Sequence, residues 1–183
     1  MKKSRAVALD ITGIATGAAF IAVCSWISVP VFDIPYTLQT FGVFLVISLF
    51  GLRRGTLSVL TYILIGLAGA PVFSRFNAGP SALFGPTGGY IISFLVSAAI
   101  IGIALDIFGK KRTVLLLSMS AGLAACYLLG TLWFIIVAPA PYTFWNALSL
   151  CVFPFVLPDL IKIVLATELT LRLAPHIRFS GSK

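Results

Sequence analysis

Charge is what this chain has least of: five acidic and thirteen basic residues among 183, with one histidine. Such a scarcity excludes the surface of an ordinary soluble domain, where about a quarter of residues are charged. Cysteine is nearly as sparse. Cys24, Cys126 and Cys151 stand apart inside apolar runs, without the paired spacing or histidine neighbours that a metal site needs, and read as small core residues. His176 has no carboxylate or thiol beside it in sequence and reads as solvated or interfacial rather than as a ligand. No metal, catalytic centre or cofactor is therefore expected.

What the chain has instead is apolar length. Hydrophobic residues make up 60% of it and its mean hydropathy is +1.10, values of an integral membrane protein. Only a helix satisfies its own backbone in lipid, and about 20 apolar residues are needed to cross. The runs between charges thus predict an all-α integral membrane protein of six transmembrane helices: Ile11–Val29, Thr37–Leu52, Gly55–Leu67, Gly89–Phe108, Thr113–Val137 and Phe144–Leu173. The last two are parted where Ala138-Pro-Ala-Pro-Tyr-Thr143 interrupts a run too long for one helix. Every stretch between runs is too short to fold separately, so residues 1–183 are expected to form one membrane domain. The first run is longer than a signal-peptide core and has no small-residue cleavage site at Val29-Pro30, so it is expected to stay as a span.

Basic residues orient the spans, because short translocated loops are poor in Lys and Arg. Lys2, Lys3 and Arg5, then Arg53 and Arg54, then Lys110, Lys111 and Arg112, and last Arg172, Arg178 and Lys183 fall on one side, eleven of the thirteen. Both termini are expected to be cytoplasmic. The net charge of +8 follows from this topology and from anionic inner-leaflet lipid, with no need of nucleic acid.

Three connections then face outward: Pro30–Tyr36, Gly69–Gly88 and Ala138–Thr143. The second is twenty residues long, a length typical of lids and binding loops. Its Phe73, Phe76 and Phe84 argue for a loop folded back over the bundle; the alternative rests those rings among lipid headgroups. Within it, Gly85-Pro-Thr-Gly-Gly89 lacks the Lys-Ser or Lys-Thr of a nucleotide loop. Gly88 and Gly89 either let backbone N–H groups approach a polar ligand at the positive end of the fourth helix, or serve a turn that needs positive φ.

Two charges break the apolar run Pro154-Phe-Val-Leu-Pro-Asp-Leu-Ile-Lys162. Asp159 and Lys162 are three apart, so they share a helix face. Near mid-span each isolated charge would cost about 2.5–3.5 kcal/mol, so the pair is expected to face the bundle interior or a cavity. Pro158 either kinks the span or opens a new helix with Asp159 at its positive end. The pair is either an internal salt bridge or a site for a polar, uncharged ligand, the carboxylate accepting N–H groups and the ammonium donating to a carbonyl. The first span carries a separate signal: Gly13, Ala15, Gly17, Ala18, Ala19 and Ala22 form a small-residue strip that permits close approach of another helix, internal or from a partner.

Four segments together, Pro35-Tyr-Thr-Leu-Gln-Thr40, Gly69-Ala-Pro-Val-Phe73, Gly85-Pro-Thr-Gly-Gly-Tyr90 and Pro154–Lys162, resemble the motifs of BioY, the biotin-binding S component of energy-coupling factor transporters. The resemblance runs from the first span to the sixth. It implies a six-helix subunit in a bacterial cell membrane that captures biotin from outside. Its partners would be a transmembrane coupling subunit, contacted through Ala15 and Ala19, and two cytoplasmic ATPases; this sequence has no Walker A motif of its own. The resemblance further implies that the biotin ureido ring lies against Asp159 and Lys162, supplemented by Asn77. Phe73, Tyr90 and Tyr127 would pack on the apolar part, with Gln39 and the Gly88-Gly89 backbone near the carboxylate or the rim. The rival readings are an S component for another vitamin, an intramembrane enzyme using Asp159 and Lys162 as acid and base, and an ion pathway. The enzyme lacks a nucleophile or second carboxylate close in sequence. The ion pathway lacks further charges along the spans, since Asp10, Asp106 and Glu168 lie near the inner ends.

Overall fold

A computed structural model describes residues 2–29, 35–138 and 141–177, with side chains from residue 7 onward. Most of the Pro30–Tyr36 connection, part of Ala138–Thr143, Arg178 and Lys183 lie outside the described residues, as do the side chains of Lys2, Lys3 and Arg5. Among the described residues the chain is helical apart from one two-residue ladder: α1 (Lys2–Trp26), β1 (Ser28–Val29), β2 (Tyr36–Thr37), α2 (Gln39–Leu67), α3 (Pro80–Phe84), α4 (Gly88–Phe108), α5 (Arg112–Val137), α6 (Phe144–Cys151) and α7 (Phe153–Leu173). Among these, α1, α2, α4 and α5 are each long and apolar enough to cross a membrane. The bent pair α6 and α7 makes a fifth candidate.

α2 covers the expected second and third spans without a loop between them. Gly51, at φ 79° and ψ 179°, is the one residue in it with non-helical backbone, a conformation essentially closed to other residues. The two limbs fold back on each other there. A Cβ on Gly55 would sit 2.7 Å from the Ile47 Cα, although eight residues of straight helix span about 12 Å. Further along, Gln39 and Tyr62 are hydrogen bonded at 2.8 Å, where a straight helix would hold them about 34 Å apart. Arg53 and Arg54 therefore open the second limb instead of forming a turn of their own.

α4 packs between α2 and α5, α1 lies along α2, and α7 closes against α2 and α5. The core runs through these faces, with Ile21, Phe44, Ile47, Ile101, Leu115 and Met119 fully or almost fully buried. Charges collect at the end where Gly51 turns. Arg54 bonds Asp10 at 2.7 Å, tying α1 to α2. Lys110 Nζ donates to the Leu49 carbonyl at 2.9 Å, satisfying an acceptor that the turn leaves over. Arg112 pairs with Glu168 at 2.8 Å.

The small-residue strip of α1 divides by face. Gly13, Gly17, Ala18 and Ala22 are buried in the bundle, while Ala15 and Ala19 are exposed on the opposite side. All three cysteines are buried, and His176 is an exposed residue.

Candidate functional site

The site begins with a break in the helix that carries both charges. At Val152 the backbone leaves the helical range (φ −123°, ψ −58°), and α6 and α7 meet there at 46°. Pro154 sits in the first turn of α7, where a missing N–H costs nothing. Pro158 lies inside α7, so it does not open the helix as one reading of the sequence had it, and the 46° bend falls before it, at Val152. Asp159 is thereby placed in the second turn of α7 and near the middle of the bent α6–α7 pair. The Pro154 carbonyl, which a residue with an N–H at 158 would bond, accepts instead from Tyr36 Oη at 2.6 Å.

Asp159 and Lys162 are 3% and 8% exposed, and buried charges persist only when paired and fully hydrogen bonded. Here they are. Lys162 Nζ donates to Asp159 Oδ1 at 2.7 Å, to the Thr37 carbonyl at 2.6 Å and to Thr40 Oγ1 at 3.3 Å. Thr40 Oγ1 donates to Asp159 Oδ1 at 3.0 Å, and Tyr127 Oη donates to Oδ2 at 2.6 Å. The cluster draws on α2, α5 and α7, so it exists only in the packed bundle. Its three donors stabilise the carboxylate, and Oδ2 retains a lone pair for one more.

This cluster forms one wall of a cavity of about 630 Å³, counting the part open to solvent. Gln39 extends the polar wall, its amide oriented by the bond to Tyr62. Ile91 and Phe94 of α4 and Phe155 of α7 are its apolar lining; Tyr90, Cys126, Cys151, Pro35, Thr37, Ser74 and Thr87 also line it. Tyr90 Oη and Thr131 Oγ1 are hydrogen bonded at 3.1 Å. An apolar chamber with one anionic acceptor and several hydroxyls suits a small, largely apolar molecule that carries N–H donors at one end.

Five of the nine ligand residues expected from the sequence border this cavity: Asp159, Lys162, Gln39, Tyr90 and Tyr127. Phe73 does not. It is 1% exposed, packed edge-on to Tyr62 and over Gly66. Asn77 is exposed just past a single 3-10 turn, Ser74–Phe76, and does not line the cavity. Gly88 and Gly89 serve packing: a Cβ on Gly88 would collide with the Leu83 carbonyl, and one on Gly89 with the Trp133 side chain. Neither has positive φ, so the reading of a turn that needs it does not hold.

The loop from Gly69 to Thr87 is folded against the bundle. Trp26 Nε1 of α1 donates to the Pro71 carbonyl at 2.8 Å and its ring stacks on Phe76, centroids 5.4 Å apart. Trp133 Nε1 of α5 donates to the Gly85 carbonyl at 3.0 Å. Arg75 and Phe76 adopt φ of 56° and 57°, unusual for residues with a side chain. Of its three phenylalanines only Phe73 turns inward; Phe76 and Phe84 are exposed.

Sequence reasoning passed over Thr37, Thr40 and Tyr36, although all three lie in the Pro35–Thr40 segment that it quoted. The available signal was polarity: Thr37 in β2 and Gln39 and Thr40 at the start of α2 stand just before the apolar run Phe41–Ile47. Phe155, Cys126 and Cys151 carried no such signal. Among the described residues no group of three or more His, Cys, Asp or Glu could hold a metal ion.

An apolar helical bundle enclosing a buried charge pair at the wall of one small-molecule chamber defines a ligand-binding membrane protein. The chain matches the BioY family over residues 1–179. It is 41% identical over 157 residues to the biotin transporter BioY of Thermotoga maritima, an alignment covering 85% of this chain and 89% of that protein. To the biotin transporter BioY2 of Lactococcus lactis it is 36% identical over 158 residues, 86% of each. Among solved structures, the S component for biotin from an ECF-type ABC transporter superposes with a TM-score of 0.85, at 26% identity, covering 98% of this chain and 97% of the other. The chain belongs to the BioY family.

Proposed function

We propose that this protein is the biotin-binding subunit of an ATP-driven uptake system, receiving biotin from outside the cell. The observation that carries the reading is the Asp159–Lys162–Thr40–Tyr127 cluster at the wall of the cavity, in a chain whose relatives are named biotin transporters. The cyclic urea of biotin offers two N–H groups to the carboxylate wall. The thioether ring and valeryl chain fit the surface of Ile91, Phe94 and Phe155, and the hydroxyls of Ser74 and Thr87 suit the carboxylate end. The loop from Gly69 to Thr87 acts as the lid, excluding water and strengthening the polar contacts beneath it.

Six crossings follow when each limb of α2 counts as one and the bent pair α6–α7 as one, all within a single membrane domain. The limbs are short, about 18 and 24 Å, against a hydrocarbon layer of about 30 Å. Arg54, Lys110 and Arg112, gathered at the Gly51 end, support a cytoplasmic placement of that end and of both termini. The cavity then opens outward. A transmembrane coupling subunit docks on the exposed Ala15–Ala19 face of α1, and two cytoplasmic ATPases drive the cycle.

Equilibrium binding of radiolabelled biotin to the detergent-purified protein tests the reading. Sub-micromolar affinity that excess riboflavin and thiamine leave unchanged is expected. A folded, monodisperse sample without measurable binding overturns it.

A further inference from the structure

Pro158 removes a donor from α7, and the acceptor it orphans is put to use. In an uninterrupted helix the N–H of residue 158 bonds the carbonyl of residue 154; proline has no N–H, and its ring pushes that carbonyl out of the ladder. Tyr36 Oη takes the carbonyl at 2.6 Å, and the Tyr36 ring stacks on Phe155, centroids 4.4 Å apart. Pro35 and Thr37, on either side of Tyr36, border the cavity, and the Thr37 carbonyl is held by Lys162 at 2.6 Å. Residues 35–37 are thus fastened to α7 on one side and paired with β1 on the other.

We propose that Pro158 and Tyr36 form a latch. The proline reserves the Pro154 carbonyl for the tyrosine hydroxyl, and that bond holds residues 35–37 against the cavity and sets how long a ligand stays. The inference rests on the cavity being the biotin site, and it gives Tyr36 and Pro158 positioning roles. Its logic is competition for one acceptor. An N–H at residue 158 is delivered by the helix itself, with no side chain to order, and it draws the carbonyl back along the helix axis, so it competes with Tyr36 and weakens that bond. Pro158→Ala therefore strengthens α7 while loosening residues 35–37, two effects of opposite sign that a purely structural proline does not produce.

The test compares wild type, Tyr36→Phe, Pro158→Ala and the double variant, purified in detergent, with Pro158→Leu as a second variant that restores the N–H. Two rates are read: dissociation of radiolabelled biotin, and reaction of the cavity-lining Cys126 and Cys151 with a small methanethiosulfonate in ligand-free protein, followed by mass spectrometry. Each single substitution is expected to raise both rates about three- to tenfold, the worth of one hydrogen bond. The double is expected to be no faster than the faster single, with a melting temperature for Pro158→Ala at or above wild type. Donor-restoring variants at wild-type rates, or single effects that multiply in the double, overturn the latch. Latch-dependent thiol reaction in a protein that does not bind biotin upholds the latch and sinks the biotin reading instead.

Discussion

Removing both charges of the buried pair separates what they do for the fold from what they do for the ligand. At 2.7 Å the gross attraction is about 6 kcal/mol at an effective dielectric of 20, and the desolvation of both groups offsets most of it. Lys162→Met alone leaves Asp159 with Thr40 and Tyr127 as donors and no counter-charge. Breaking a buried pair typically costs about 3–5 kcal/mol; with two donors remaining, ~3 is expected, lowering Tm by about 6–12 °C for a chain of this size. The double variant Asp159→Leu/Lys162→Met replaces the pair with apolar groups of similar volume and is expected within about 1 kcal/mol of wild type. Its biotin affinity falls nonetheless. One lost hydrogen bond to a charged acceptor, about 1.5–3 kcal/mol, weakens Kd about 10- to 150-fold. Thermal unfolding in detergent and equilibrium binding of labelled biotin read the two quantities on the same sample. A stable double variant that binds biotin as tightly as wild type would refute the reasoning and leave the pair as a packing salt bridge.

Tyr127→Phe deletes the donor to Asp159 Oδ2 and is expected to weaken biotin binding about tenfold with the melting temperature nearly unchanged; equal affinity would remove Tyr127 from the site. Ala15→Trp and Ala19→Trp project from the exposed face of α1 and should block co-purification of the coupling subunit while sparing biotin affinity; assembly surviving both would place the docking surface elsewhere. Gly51→Ala meets no atom within 4 Å but forces a side chain into a glycine-only conformation, an expected loss of about 1–3 kcal/mol. An unchanged Tm would show that the α2 turn tolerates another backbone geometry.

The long apolar runs were legible because helix length and charge position are local properties: Gly89–Phe108 and Thr113–Val137 match α4 and α5 to within one residue. The reversal in α2 was less so. Arg53 and Arg54 read as a separating loop, whereas the turn needs only Gly51, and Arg54 is occupied by Asp10 on another helix. Asp159 and Lys162 stood out because charge in an apolar run is rare, yet Thr40 and Tyr127 become their partners only through contacts 119 and 32 residues away in sequence. Gly88 and Gly89 were hard to read for a related reason. A glycine records that something comes close, and here it is Leu83 and Trp133. Pro158 was read only for its effect on helix direction, while the structure also shows Tyr36 bonded to the carbonyl that the proline leaves without an N–H.

The two indole anchors of the Gly69–Thr87 loop give the protein an optical consequence. It has three tryptophans; Trp26 and Trp133 each donate to a loop carbonyl from a different helix, while Trp145 is 70% exposed and outside the loop. Intrinsic emission is thus weighted toward the loop. With Trp145 replaced by phenylalanine, unlabelled protein would report the loop's detachment from α1 and from α5 through two natural fluorophores, resolvable by removing one at a time.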